Sequence, residues 1–263
     1  MKITIPIAAL FLFSVGLYAQ EEMMVPISGG VYTPLYGASQ TQVQVADFYL
    51  DPVPVTHLDY LNFVEKNPKW RKSAVIGLFA DQRYLDFWDG DLSFPQSLKN
   101  SPVNHVSWFA AKAYCECQGK RLPTVDEWEY VAMASASLKD ARKDSLFNLA
   151  ILRSYEKPKT YLQQVGNQGK NIWGVADLHG IVWEWTMDFN AIILTGESRN
   201  YGNTDLGLFC ASGALGANDL MNYAAFMRYA MRSSLNARNS LSTLGFRCAK
   251  NMPPGKDQTS IKK

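Results

Sequence analysis

Sulfur and imidazole side chains are the groups in this sequence that could bind a redox metal. The chain contains four cysteines and three histidines, namely Cys115, Cys117, Cys210, Cys248, His57, His105 and His179. Thiolates and imidazoles are ligands for copper and iron. Met221, Met227 and Met231 lie close together in the sequence, and their thioethers could add copper ligands. Methionines at irregular spacing more often fill gaps in a core, so these residues raise a metal site only as a hypothesis.

Hydrolytic chemistry has less support in the sequence. The chain lacks the G-x-S-x-G turn that presents the nucleophile in one large class of serine hydrolases. Asp89 and Asp91 in the segment WDGD are closely spaced carboxylates, but Asp and Gly in this arrangement are typical of turns. We therefore interpret them as turn residues rather than as a glycosidase pair.

The N-terminal residues and the composition predict an exported protein. Lys2 precedes an apolar run from Ile3 to Leu17, and Ala19 follows, which is the pattern of a secretory signal peptide over residues 1–19. We expect the protein in the periplasm or at the cell surface, where its four cysteines could pair in three ways.

The formal net charge of +2 without a basic patch predicts no nucleic-acid partner. We expect no membrane span after removal of the signal, since no second long apolar stretch follows.

Three helices have clear signals at their N-termini. Thr56 precedes the segment HLDYLNFVEK, and Ser107 precedes WFAAKAYCECQ; Thr and Ser are good N-cap residues because their hydroxyls accept from free backbone amides. Thr124 and Glu127 have the spacing of a capping box ahead of DEWEYVAMASA. These caps predict where each helix begins.

The remaining segments have weaker patterns. We expect one domain over residues 20–251, because no linker or repeat interrupts the chain. The further predictions are short strands within 24–50, a loop over 76–102, a polar surface excursion over 137–170, a strand at 182–188, a helix or a strand at 222–234, and a disordered tail at 252–263.

Three sequence words resemble the formylglycine-generating enzyme (sulfatase-modifying factor) family. The longest word is PVNHVSWFAAKAYCECQGKRLPTVDEWEYVA, from Pro102 to Ala132. GVADLHGIVWEW, from Gly174 to Trp185, is the second word, and LGFRCAK, from Leu244 to Lys250, is the third. A shorter match combines Val55, Thr56, Tyr60 and Phe63. The resemblance implies an α+β fold of C-type-lectin-like type with much irregular structure.

The resemblance also implies a disulfide bond and a structural calcium ion. The family joins the cysteine of the AYC word to that of the GFRC word, which implies the pair Cys115–Cys248 here. Its calcium loop implies Asp177 and Glu184 as side-chain ligands, with carbonyl oxygens from Gly180 and Val182. Oxygen ligands from a tight loop suit calcium, although a structural role for Glu184 without an ion is the alternative.

The copper-binding cysteines of the enzymes in this family have no counterpart in the sequence. Counting back from Arg232–Ser233, which matches the family's R-S pair, they should fall at positions 219 and 224, where this chain has Asp219 and Ala224. Cys210 lies too early and has no partner at the required spacing. Since one thiol cannot form the two-coordinate copper site, we do not expect formylglycine formation, or a copper or iron cofactor.

These observations predict a non-catalytic relative that binds a peptide or a protein. It would act in maturation or assembly, with Arg228, Arg232 and Cys210 as candidate ligand-binding residues. Arg238 and Arg247 belong to the same basic group; arginines recognise carboxylates, although buried salt bridges are the other interpretation. The alternative function is a copper- or iron-dependent oxidoreductase acting on a protein or a small molecule, and a carbohydrate-binding surface is a weaker hypothesis.

Overall fold

The computed structural model describes residues 24–35, 41–190 and 220–253. The predicted signal peptide at 1–19, Cys210, and all but the first two residues of the predicted tail lie outside the described residues. The described α-helices are α1 (His57–Lys66), α2 (Trp108–Cys117), α3 (Val125–Ala132), α4 (Ser145–Glu156) and α5 (Leu220–Ser233). The strands are β1 (Val25–Ile27), β2 (Gly30–Tyr32), β3 (Val43–Val45), β4 (Phe48–Leu50), β5 (Trp183–Glu184), β6 (Leu244–Gly245) and β7 (Ala249–Asn251).

The strands form three small sheets. Antiparallel pairing gives the order β1-β4-β7, with Leu50 opposite Ala249, and a separate antiparallel pair β2-β3. Strands β5 and β6 pair in parallel. Short sheets, five helices and long irregular connections make an α+β protein among the residues described, which confirms the predicted fold class. No described helix is both long and apolar enough to cross a membrane.

The caps read from the sequence are present at all three predicted helix starts. The Thr56 hydroxyl accepts from the Asp59 amide at 3.2 Å, and the Asp59 carboxylate accepts from the Thr56 amide at 3.1 Å. Thr124 and Glu127 form the predicted capping box. Such reciprocal bonds satisfy amides that have no partner within the helix, and this local chemistry explains why the starts were predictable.

Two segments differ from their predictions, and in a third the sequence leaves helix and strand open. The predicted surface excursion at 137–170 contains α4, whose Ile151 side chain is buried and which packs against α5. Apolar residues recur at i, i+4 and i+8 along α4, so its amphipathic period was overlooked. The predicted strand at 182–188 is reduced to Trp183–Glu184, because the Met187 amide turns away to bond the Pro123 carbonyl at 2.8 Å. The ambiguous segment at 222–234 is helical.

The buried apolar side chains form two cores. The larger core joins α1 and α2 to Trp185 and Phe246, and the smaller one joins Phe48, Trp128 and Val175 with their neighbours. The predicted disulfide bond Cys115–Cys248 is confirmed, with its Cα atoms 5.6 Å apart. It connects α2 to the segment between β6 and β7.

Candidate active-site cavity

A cavity of about 200 Å³ opens between the loop after α4, strand β5 and the C-terminal end of α5. Aromatic rings form part of its wall: the rings of Tyr155 and Trp183 are 4.7 Å apart between centroids. Aliphatic side chains such as Leu178 and Leu235 add apolar surface. Arg232, Lys157 and Lys159 also line the cavity, so its wall combines an apolar surface with cationic groups.

Arg232 belongs to a buried charge cluster behind the cavity. The Glu129 carboxylate accepts from Arg232 Nη1 at 2.7 Å and from Arg228 Nη2 at 2.7 Å, and all three side chains are at least nine-tenths buried. Burial would raise the pKa of Glu129, but the two guanidiniums outweigh this effect and hold the pKa at about 2. The carboxylate therefore stays ionised and fixes both arginines in α5 against α3.

The cation of Arg232 is further held by aromatic faces. Its guanidinium lies 4.8 Å from the centre of the Trp128 ring and 5.7 Å from that of Tyr229, distances typical of cation–π contacts. Packing on both rings leaves the guanidinium in one orientation at the cavity wall.

A second buried ion pair joins strand β5 to the C-terminal segment. The Glu184 oxygens accept from Arg247 Nε and Nη2, both at 2.8 Å, and the Trp128 indole donates to Glu184 Oε2 at 2.8 Å. Arg247 also donates to the carbonyls of Asp51 and Ala176 at 3.2 and 3.0 Å. Both partners of the pair are fully enclosed, so the guanidinium satisfies four acceptors at the meeting point of separate chain segments.

Asp177, the other predicted calcium ligand with a side chain, is occupied by backbone amides. Its carboxylate accepts from the amides of Gly166 and Gln168. Burial raises the pKa of Asp177, and the two amide bonds oppose that shift. The residue itself has φ +60°, a left-handed conformation that Asp adopts more readily than most residues. These contacts make Asp177 an organiser of the 166–168 turn.

The side chains do not fit a calcium ion as they are arranged. Glu184 has given both oxygens to Arg247 and Trp128, so a cation bound there would have to displace an arginine. Of the predicted backbone ligands, Gly180 has φ +82°, and a Cβ at that position would lie 2.4 Å from Ser154 Cβ. The tight turn therefore accommodates α4. Calcium binding by Asp177, Gly180, Val182 and Glu184 stays a prediction that metal analysis can test.

A neutral histidine links α4 to the same region. His179 Nε2 bonds the Ala132 carbonyl at 3.0 Å, which makes Nε2 the protonated nitrogen and leaves Nδ1 to accept from the Tyr155 hydroxyl at 3.4 Å. Burial, with a contribution from the nearby Arg228 charge, lowers the pKa of His179 to about 4. Burial likewise lowers the pKa of His57 to about 4, where the Trp88 indole donates to its Nδ1 at 2.9 Å.

These two histidines predict a loss of stability in mild acid. Below about pH 6.5, His57 and His179 become protonated in the unfolded chain. In the folded protein both stay neutral until the pH falls to their lowered pKa of about 4. Stability therefore falls as the pH falls through this window, by up to about 2.7 kcal/mol per pH unit for the two groups. Urea unfolding between pH 7 and pH 5 measures it. His179→Gln, which can keep both hydrogen bonds, should lower the slope by up to about 1.4 kcal/mol per pH unit; an unchanged slope would contradict the assignment.

The structure separates the residues that the sequence suggested as ligand-binding. Arg232 lines the cavity, whereas Arg228 is enclosed by Glu129 and by the Ala224 carbonyl. The related Arg247 is paired with Glu184, and Arg238 donates to the Gly77 carbonyl at the surface. The four arginines therefore form no single cluster.

The described residues contain no assembled site for the copper or iron considered in the sequence analysis. No group of three His, Cys, Asp or Glu side chains is arranged to hold an ion within residues 24–35, 41–190 and 220–253. His105 bonds the Ser240 carbonyl and His179 the Ala132 carbonyl, as expected for structural histidines. Met231 lines the cavity.

Sequence reasoning missed Glu129, Tyr155 and Trp183 as residues of this site. The period of α4 would have turned Tyr155 inward, in line with Phe147 and Ile151. Glu129 gave a weaker signal: it follows Trp128 on a helix whose described residues are almost all buried, and a carboxylate in such a helix requires a cationic partner.

Comparison with known proteins decides the family. The family described as "Sulfatase-modifying factor enzyme 1-like domain" has a sequence model that matches residues 16–252. The chain belongs to the sulfatase-modifying factor family. This sulfatase-modifying-factor-like chain is 27% identical over 301 residues to the formylglycine-generating enzyme of Mus musculus, covering 89% of this chain and 76% of that protein. It is 28% identical over 257 residues to the inactive C-alpha-formylglycine-generating enzyme 2 of Bos taurus, covering 81% of each.

Solved structures show the same fold. PvdO from Pseudomonas aeruginosa superposes on the sulfatase-modifying-factor-like chain with a TM-score of 0.52 at 18% identity, covering 87% of this chain and 94% of PvdO. The family thus includes proteins named as active and as inactive in formylglycine generation, and membership alone does not select between catalysis and binding.

Proposed function

We propose that this protein is an exported, non-catalytic member of its family that binds a peptide or a protein and acts in maturation or assembly. The observation that supports this function most is the cavity at α4, β5 and α5, whose wall presents aromatic rings and a rigidly held cation. Apolar cavities with a few fixed polar groups are typical of binding sites. The sequence supports the lack of catalysis, because Asp219 and Ala224 stand where the enzymes need thiols.

The alternative is an oxidoreductase with a rearranged metal site. Cys210 and the methionine Met231 could contribute soft ligands for copper, and the relatives include an enzyme named hercynine oxygenase from Mycolicibacterium smegmatis, 29% identical over 174 residues. That match covers 55% of this chain and 38% of the relative. Copper or iron chemistry on a protein or small-molecule substrate would then replace binding as the function.

Metal analysis separates the two functions. The exported form is loaded with Cu(I), Fe(II) or Ca(II), freed of excess ion, and measured by mass spectrometry together with oxygen uptake on a cysteine-containing peptide. We expect no stoichiometric copper or iron and no peptide oxidation. One copper or iron per chain, lost in Cys210→Ser but retained in the control Cys117→Ser, would establish the oxidoreductase and reject the binding function.

The same samples test calcium. Since Glu184 is occupied by Arg247, we expect that neither calcium nor a chelator changes the Tm. A ligand that binds only the folded state raises the Tm with its concentration, so a calcium-dependent rise that disappears in Asp177→Asn would restore the predicted site. N-terminal sequencing of the exported protein tests the signal peptide, with Gln20 as the expected first residue.

A further inference from the structure

We infer that the cavity binds the C-terminal carboxylate of a peptide whose last side chain is apolar. This inference rests on the proposed function and names the class of ligand for that site. It starts from the charges on the wall: Arg232, Lys157 and Lys159 are cationic, and Glu184 is the acidic residue among the lining, with a side chain that is fully enclosed. Glu184 is neutralised by Arg247, so the wall presents an excess of positive charge.

Arg232 has hydrogen-bonding groups left for a ligand. Its Nη1 donates to Glu129 at 2.7 Å, and among the residues that the structure describes its Nε and Nη2 have no hydrogen-bond acceptor. The side chain is only 6% exposed, so these groups can bond mainly to what enters the cavity. An arginine fork matches a carboxylate with two parallel bonds.

The neighbouring anions do not use these groups. Glu129 shares its charge between Arg228 and Arg232, so one carboxylate faces two guanidiniums. Asp188 is near enough for Arg232 to lower its pKa, although burial has the larger effect and raises it. Its carboxylate accepts from the Val125 amide at 2.8 Å, and it does not line the cavity. A ligand carboxylate would therefore find an unmatched cation.

The rest of the cavity wall favours an apolar side chain on the residue that bears the carboxylate. The Tyr155 and Trp183 rings and the aliphatic groups of Val182, Leu235 and Leu244 surround the remaining space. Its volume of about 200 Å³ gives room for one apolar side chain beside its carboxylate. Lys157 and Lys159 line the cavity and are exposed, and capture of a C-terminal carboxylate is an established mode of peptide recognition.

Calorimetry with metal-free protein tests this inference. The probes are acetyl-Gly-Gly-Leu with a free carboxylate, the same peptide as its amide, and acetyl-leucine as a small carboxylate. We expect the acid to bind at least about tenfold more tightly than the amide, because the amide cannot accept two charge-assisted bonds. Equal affinities, or no binding by either peptide, would overturn the inference. Acetyl-leucine binding as tightly as the peptide would overturn the assignment to a peptide end.

Variants locate the binding. Arg232→Gln should abolish the preference for the acid, and Thr243→Phe, at an exposed position that lines the cavity, should block both peptides without disturbing the buried cluster. Lys157→Gln with Lys159→Asn should weaken the acid several-fold; Asn accepts the left-handed backbone at position 159, where φ is +53°. The matched control removes two exposed lysines away from the cavity, Lys69→Gln with Lys143→Gln.

The outcomes of the peptide-binding experiment can be distinguished from those of the metal experiment. Stoichiometric copper or iron with discrimination between acid and amide would reject the non-catalytic function and keep the carboxylate site. Undiminished binding in Thr243→Phe would reject the site, whatever the metal content.

Discussion

Glu129→Gln is expected to lower the free energy of unfolding by about 3–5 kcal/mol, since it removes the one carboxylate shared by two buried guanidiniums. A glutamine keeps the size of the side chain but cannot compensate the charges of Arg228 and Arg232. Urea unfolding followed by tryptophan fluorescence measures the loss. Glu116→Gln is the control, because its pair with Lys112 lies at the surface of α2 and should contribute only about 0.3–0.5 kcal/mol.

A triple variant separates charge from packing. Glu129→Leu with Arg228→Met and Arg232→Met removes every charge of the cluster and keeps apolar volume, and such replacements are often neutral or stabilising. We expect it to be more stable than Glu129→Gln alone. A triple variant as unstable as the single one would mean that packing, and not the unpaired charges, accounts for the loss.

Removing the disulfide bond is the second large effect we expect. Cys115 and Cys248 are separated by 133 residues, and a crosslink that closes so long a loop restricts the unfolded chain by roughly 4–5 kcal/mol in the chain-entropy model. Cys115→Ala with Cys248→Ala should lower the free energy of unfolding by up to that amount. Unfolding by urea under non-reducing conditions measures the change.

Cys117 provides the control for that experiment. It lies two residues after Cys115 and is exposed with a free thiol, so Cys117→Ser should change the stability by less than about 0.5 kcal/mol. Reduction should affect the wild-type protein and not the double variant. If reduction destabilised both equally, the bond between Cys115 and Cys248 would not be the source of the stability.

Elements defined by neighbouring residues could be predicted from the sequence, and contacts between distant residues could not. Thr56 and Thr124 cap helices through residues three positions away, so their chemistry is visible in a short window. The partner of Glu129 lies 99 residues away at Arg228, and nothing in either segment identifies the other. The disulfide bond is the exception, because the resemblance supplied a pairing that spacing left open.

The site at Glu184 shows how far the resemblance could carry. The word GVADLHGIVWEW implied Glu184 as a calcium ligand, with a structural role without an ion as the alternative, and the structure encloses this side chain completely. It did not predict that Arg247, 63 residues later, would take both oxygens. A buried carboxylate can be compensated by a metal ion or by an arginine, so the resemblance could identify Glu184 but not the group that compensates its charge.

The pairing of β7 with β4 has a consequence for the order in which the chain can fold. Leu50, at the end of β4, pairs with Ala249, and Cys115 forms its disulfide bond with Cys248. Both cores also depend on the last strands, since Leu244 of β6 belongs to one and Ala249 of β7 to the other. A nascent chain in which residues 244–251 have not yet emerged lacks the segments that complete either core. Folding of this domain is therefore completed only after residues 244–251 have emerged, and contacts of such long sequence separation form slowly.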